Sequence, residues 1–160
     1  MRRLAALLLI AGAVLVQTGT AWAAKTTVTL TETRKNVVES FAEIDPCLGP
    51  ITVNLTYNDI FHVTQFVSGP NVGAFHVTFT QVGKFLLETE DPALPDYAGT
   101  FAASGGFNGN AQFASATITF NAVGRAPDGT RVRFHALEHF NVTPGGVENS
   151  FLIETFDCPV

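Results

Sequence analysis

Asp59-Ile60-Phe61-His62-Val63-Thr64-Gln65-Phe66-Val67 and Ala74-Phe75-His76-Val77-Thr78-Phe79-Thr80-Gln81 flank the turn-rich stretch Ser68-Gly69-Pro70-Asn71-Val72-Gly73. Both arms contain Phe-His-Val-Thr, and both place apolar residues at alternate positions: Phe61, Val63 and Val67, then Phe75, Val77 and Phe79. A period of two marks a strand with one buried face. For Phe61 and Val63 to share that face with Phe75, Val77 and Phe79, opposed positions must sum to an even number, about 140. His62 then lies opposite Thr78 on the outer face, with His76 its diagonal neighbour.

The same device runs through the rest of the chain. Thr26 to Glu32 and Asn36 to Ile44 read as two strands, although Val37, Phe41 and Ile44 also fit helical spacing. Asp45-Pro46-Cys47-Leu48-Gly49-Pro50 is a turn, Ile51 to Tyr57 alternates cleanly, and Asn58-Asp59 reads as a turn into the hairpin. The second arm continues through Gly83, a candidate bulge, to Glu90. Tyr97 to Ala103 is a further strand and Gly105-Gly106-Phe107-Asn108-Gly109-Asn110 a glycine-rich corner. Ala114, Ala116, Ile118, Phe120 and Ala122 share one face, small as in a tapering barrel or beside a ligand. Pro127-Asp128-Gly129 fits a three-residue hairpin loop with Gly129 left-handed, which sets Ile118 and Phe120 on the face of Phe134 and Phe140. Val147 to Phe156 forms the last strand.

About eight strands joined by short antiparallel turns, with no helical pattern between them, predict an all-β fold. The expected form is an antiparallel up-and-down β-barrel, which removes exposed edges; a two-sheet β-sandwich is the alternative. Fourteen Phe against one Met, with many Val and Thr, agree with strands.

Residues 1–23 read as a signal peptide: Arg2 and Arg3, an apolar run from Leu4 to Val16, then Ala21-Trp22-Ala23 before the cleavage point. Residues 24–160, about 137 residues, suit a single domain, secreted and without a membrane anchor in its mature form. Removing two of nine basic residues and none of fourteen acidic ones leaves a net charge of about −7. No Lys/Arg cluster remains, which argues against nucleic acid or an anionic membrane as partner. Cys47 and Cys158, in an exported chain, predict one disulfide enclosing about 110 residues and tying the start of a strand to the end of the chain.

The residues that could carry chemistry are few. His135 and His139 lie roughly 13 Å apart if on one strand, too far to share a metal ion. His62 and His76 lack a carboxylate or thiol at fixed spacing, so no metal and no cofactor is expected. Glu88, Glu90, Asp91 and Asp96 read as a solvated acidic loop, since no calcium-loop pattern surrounds them. Glu138 shares the phase of Val132, Phe134, Phe140 and Val142 and so points toward the core, where a carboxylate needs a partner, a wet cavity or a catalytic duty. Tyr97 is a candidate second polar group.

Phe61-His62-Val63-Thr64, Gly105-Gly106-Phe107-Asn108 and His139-Phe140-Asn141-Val142-Thr143-Pro144 resemble stretches of small secreted all-β proteins of actinobacteria that have no assigned activity. The resemblance implies export from a bacterium and transfers no catalytic residue. In architecture alone the expected barrel is similar to lipocalin and allene oxide cyclase barrels. Three readings follow. A binding barrel places a small apolar ligand among Ile118, Phe120, Phe134, Phe140 and Tyr97. An isomerase- or cyclase-like enzyme uses Glu138 inside that cavity. A structural or partner-binding module has a filled interior. The first is the leading expectation.

Overall fold

A computed structural model describes residues 27–110, 112–143 and 145–158. The signal-peptide reading of residues 1–23 lies outside them. The described chain is all-β: β1 (Thr27–Asp45), β2 (Gly49–Phe66), β3 (Phe75–Thr89), β4 (Tyr97–Gly109), β5 (Ala114–Arg125), β6 (Arg131–Thr143) and β7 (Gly146–Asp157). They form one antiparallel sheet in the order β1-β2-β3-β4-β5-β6-β7.

Among the described residues seven strands stand where about eight were expected, and two local features explain the difference. The stretches before and after Lys35 are one strand, interrupted by a bulge between Arg34 and Val37. There the two residues Lys35 and Asn36 oppose Asn58 alone; Asn36 takes a left-handed φ of 54°, and its N–H donates to Asn58 Oδ1 at 2.9 Å. The extra residue shifts the phase. Leu30 and Arg34 face inward before it, Val37 and Phe41 after it, so both apolar patterns serve one face. Asn58-Asp59 is likewise no turn: Tyr57 opposes Gly83 and Asp59 opposes Gln81 in an unbroken ladder.

The deciding hairpin has the expected register, with Phe61 opposite Phe79 and His62 opposite Thr78, positions summing to 140. Ala126 N–H donates to Thr130 O at 2.9 Å across the β5–β6 loop, and Gly129 is left-handed at φ 91°. Ile118 and Phe120 thereby share a face with Phe134 and Phe140.

Two glycine readings are corrected. β3 passes Gly83 without a register shift; the glycine makes room for β2, because a Cβ there would come within 2.5 Å of Tyr57 Cβ. The glycine-rich corner is the second half of β4. A Cβ at Gly105 would meet the Phe79 ring at 2.6 Å, and one at Gly109 the Phe75 ring at 2.6 Å. Aromatic rings from β3 occupy the space that β4 leaves open.

The inner face carries a chain of aromatic contacts across five strands: Tyr57–Phe101 at 5.9 Å, Phe101–Phe120 at 5.5 Å, Phe120–Phe134 at 5.5 Å and Phe134–Phe156 at 4.6 Å between centroids. A second stack, Phe61–Phe79–Phe107, has spacings of 5.9 and 6.0 Å. Leu48, Ile51, Tyr97 and Ala126 form a buried cluster near the β1–β2 turn.

Among the described residues β1 and β7 are not paired, so the sheet is not closed into the expected barrel by hydrogen bonds. Geometry supplies a reason. In an antiparallel meander of seven strands the first and last run in the same direction, and a parallel pair is less stable per residue. The Cys47–Cys158 disulfide, Cα to Cα 5.3 Å, ties the β1–β2 turn to the end of β7.

Candidate functional site

A cavity of about 150 Å³ opens beside this disulfide and is lined from six of the seven strands. Its apolar wall comprises Phe41 from β1, Val53 and Leu55 from β2, and Phe85 and Leu87 from β3. The other wall is Phe120 and Ala122 from β5, Val132 and Phe134 from β6, and Phe156 from β7. Cys47 and Pro46 contribute to the rim, with Glu43, Asp45, Arg133, Glu154 and Asp157. Alternation explains the wall: on β2, β3, β5 and β6 the lining apolar residues are two positions apart.

The charged rim groups differ in how they are engaged. Asp45 Oδ1 accepts the Cys47 and Leu48 N–H groups at 2.7 and 3.0 Å, an Asx-type cap that shapes the turn. Glu43 Oε1 accepts the Ile44 N–H at 3.0 Å. Arg133 and Asp157 oppose one another on the outer phase of β6 and β7. Glu154 is half-buried on the inner phase, opposite Ala136.

The expected ligand-binding residues divide. Phe120 and Phe134 line the cavity; Ile118, Phe140 and Tyr97 are not among its lining residues. Ile118 and Phe140 keep the inner phase but lie farther from the disulfide along their strands. Tyr97 is 1% exposed and packs with Leu48, Ile51 and Ala126; burial raises its pKa. Ala116 leaves no room beside it: it is 2% exposed between Phe107 and Phe140, its register partners, in a filled part of the core. Glu138 opposes Ile118 and Leu152, half-buried, also outside the cavity lining.

Two polar pairs on the inner face escaped the sequence reading. Arg34 holds the Asp59 carboxylate through Nε at 3.0 Å and through Nη2, and its guanidinium lies 5.2 Å from the Phe61 centroid. The hydrogen bond to Asp59 raises the Arg34 pKa. Tyr57 donates its hydroxyl to Glu39 Oε1 at 2.7 Å; burial first, then this bond, raises its pKa. Neither partner of either pair is near the other in sequence, so no local motif announces them.

The four histidines bond to neighbouring strands on the outer face: His62 with Thr31 at 2.9 Å, His76 with Asn108, His135 with Asn121 and His139 with Thr117, the last two at 2.8 Å. Among the described residues no group of three or more His, Cys, Asp or Glu could hold a metal ion. In the proline loop, Asp96 accepts the Thr89 N–H and Asp91 the Ala93 N–H, which is turn chemistry. No helix of the described residues is long and apolar enough to cross a membrane.

No protein-family model matches the chain, and neither a curated protein nor a solved structure matches it.

Proposed function

We propose that this protein is exported and binds a small apolar molecule in the cavity beside its disulfide. The carrying observation is that cavity: about 150 Å³, walled by five Phe side chains and by aliphatic groups. An apolar space of about this size has room for a benzene-sized guest. It is smaller than the roughly 300–1,000 Å³ of drug-sized sites, so the ligand is a single ring or a short branched chain. The segment at residues 1–23 and the Cys47–Cys158 disulfide support a role outside the cell, where such a bond persists.

Native mass spectrometry of the mature secreted protein, gently handled, tests for a retained small molecule. Titration with benzyl alcohol, followed by chemical shifts of the lining Phe rings, tests the cavity directly. Saturable shifts are expected, and Ala122→Leu, which fills the space, should abolish them while the fold is kept. Shifts that survive Ala122→Leu, or none in the parent protein, would overturn the reading.

A further inference from the structure

We infer that the cavity's ligand carries a positive charge: it is a small organic ammonium ion with an apolar body, held at its charged end by Glu154. This inference rests on the proposed cavity-binding function and adds the ligand's chemical class. The rim holds four carboxylates, Glu43, Asp45, Glu154 and Asp157, against one guanidinium, Arg133. Most of these are committed elsewhere. Asp45 caps the turn, Glu43 accepts a backbone N–H, and Asp157 opposes Arg133 on the outer phase.

Glu154 differs in place and surroundings. It sits on the inner phase of β7, two residues before Phe156, half-buried at the cavity. Its partner across the ladder is Ala136, and beyond Ala136 lies Phe120. No hydrogen bond or ion pair engages its carboxylate among the described residues, and no side-chain oxygen there is both buried and unpartnered, so the carboxylate reaches solvent at the rim. A carboxylate at the mouth of an apolar cavity favours a cation whose apolar body the walls cover.

The walls beside it suit the same guest. Phe120, Phe134 and Phe156 stand in sequence at 5.5 and 4.6 Å between centroids. Aromatic faces attract ammonium groups. Carboxylate and rings together therefore select a cation over a neutral molecule of equal size, and reject an anion.

Three ring-matched probes decide the matter on the mature, disulfide-bonded protein: benzylammonium, benzyl alcohol and benzoate, titrated by calorimetry at low salt. Benzylammonium should bind at least about tenfold more tightly than benzyl alcohol, with benzoate weakest. Glu154→Gln should erase that preference, with an unchanged far-UV circular dichroism spectrum and urea midpoint certifying that the variant is folded. Equal affinities for benzylammonium and benzyl alcohol in the parent protein would overturn the ammonium inference and leave the cavity reading standing. A preference that survives Glu154→Gln would overturn the assignment to Glu154. Binding of none of the three would overturn both readings.

Discussion

The two ends of the sheet obey one sequence pattern and reach opposite outcomes. At the disulfide end the inner face is closed: Ile51 is 3% exposed, Tyr97 1%, and Phe156 of β7 meets Phe134 of β6. At the other end of the seam the inner phase lies open, with Val28 52%, Leu30 44% and Leu152 51% exposed. Alternation assigns a side chain to a face, but burial requires something to cover that face. Near Cys47 and Cys158 the strands β1 and β7 converge under a covalent tie and share one cavity. Away from it no ladder joins them among the described residues.

The strongest way to break this contrast is to cut the tie. Replacing Cys47 and Cys158 together by Ser should cost about 4–5 kcal/mol on the loop-entropy account, read by urea denaturation, and should erase benzyl alcohol binding. A loss below about 1 kcal/mol would mean that the seam is held by packing alone. Next in size, Ile51→Ala at the closed end should cost about 2–5 kcal/mol through the cavity it leaves in a packed cluster.

Between the extremes lies the Arg34–Asp59 pair. The Asp59 side chain is fully buried while that of Arg34 is 45% exposed. Arg34→Met strands a buried carboxylate, and water at the guanidinium's position offsets part of the penalty; a loss of about 1–3 kcal/mol is expected. Combining it with Asp59→Leu should recover most of that loss in chemical denaturation. If the double variant is no better than the single, the ion pair is not the source of the effect.

Tyr57 gives a pH test. Its pKa in the folded protein lies above the ordinary value of 10.0, so the neutral phenol favours the folded state. That contribution is complete below about pH 10 and is lost as the pH rises from there toward the folded pKa, because the unfolded chain releases the proton first. Tyr57→Phe should flatten the alkaline fall in stability, leaving the share due to Tyr97. An unchanged slope would show that Tyr57 is neither buried nor bonded to Glu39 in solution. The smallest effect belongs to the open end: Leu152→Ala should stay within about 0.5 kcal/mol. A cost near that of Ile51→Ala would show that the seam is covered in solution.

Much of the fold was legible because it depends on local chemistry. Alternation identified strands, the even-sum rule gave the β2–β3 register, and Pro127-Asp128-Gly129 specified its own turn. The misread positions share a cause. Asn58-Asp59 and Gly105-Gly106 carry turn-forming residues whose native role is set by a neighbouring strand: Arg34 for Asp59, Phe79 for Gly105. Of the candidate site, Phe120 and Phe134 were found, and Glu138 was singled out for breaking alternation. Glu154 breaks it in the same way between Leu152 and Phe156, so the signal was present there too.

Sequence alone determined the all-β class, the meander of hairpins and the cysteine pairing, since each rests on periodicity, turn residues or a count of two. Only the tertiary structure decided that a bulge at Asn36 joins two segments into β1, leaving an odd number of strands with parallel edges. It also decided which inward-facing residues are covered. Phe85 and Phe156 meet one cavity while Leu30 and Leu152 meet solvent, and periodicity cannot separate them. Coverage depends on where the two ends of the sheet approach each other, a contact between residues more than a hundred positions apart, here 111 at the disulfide.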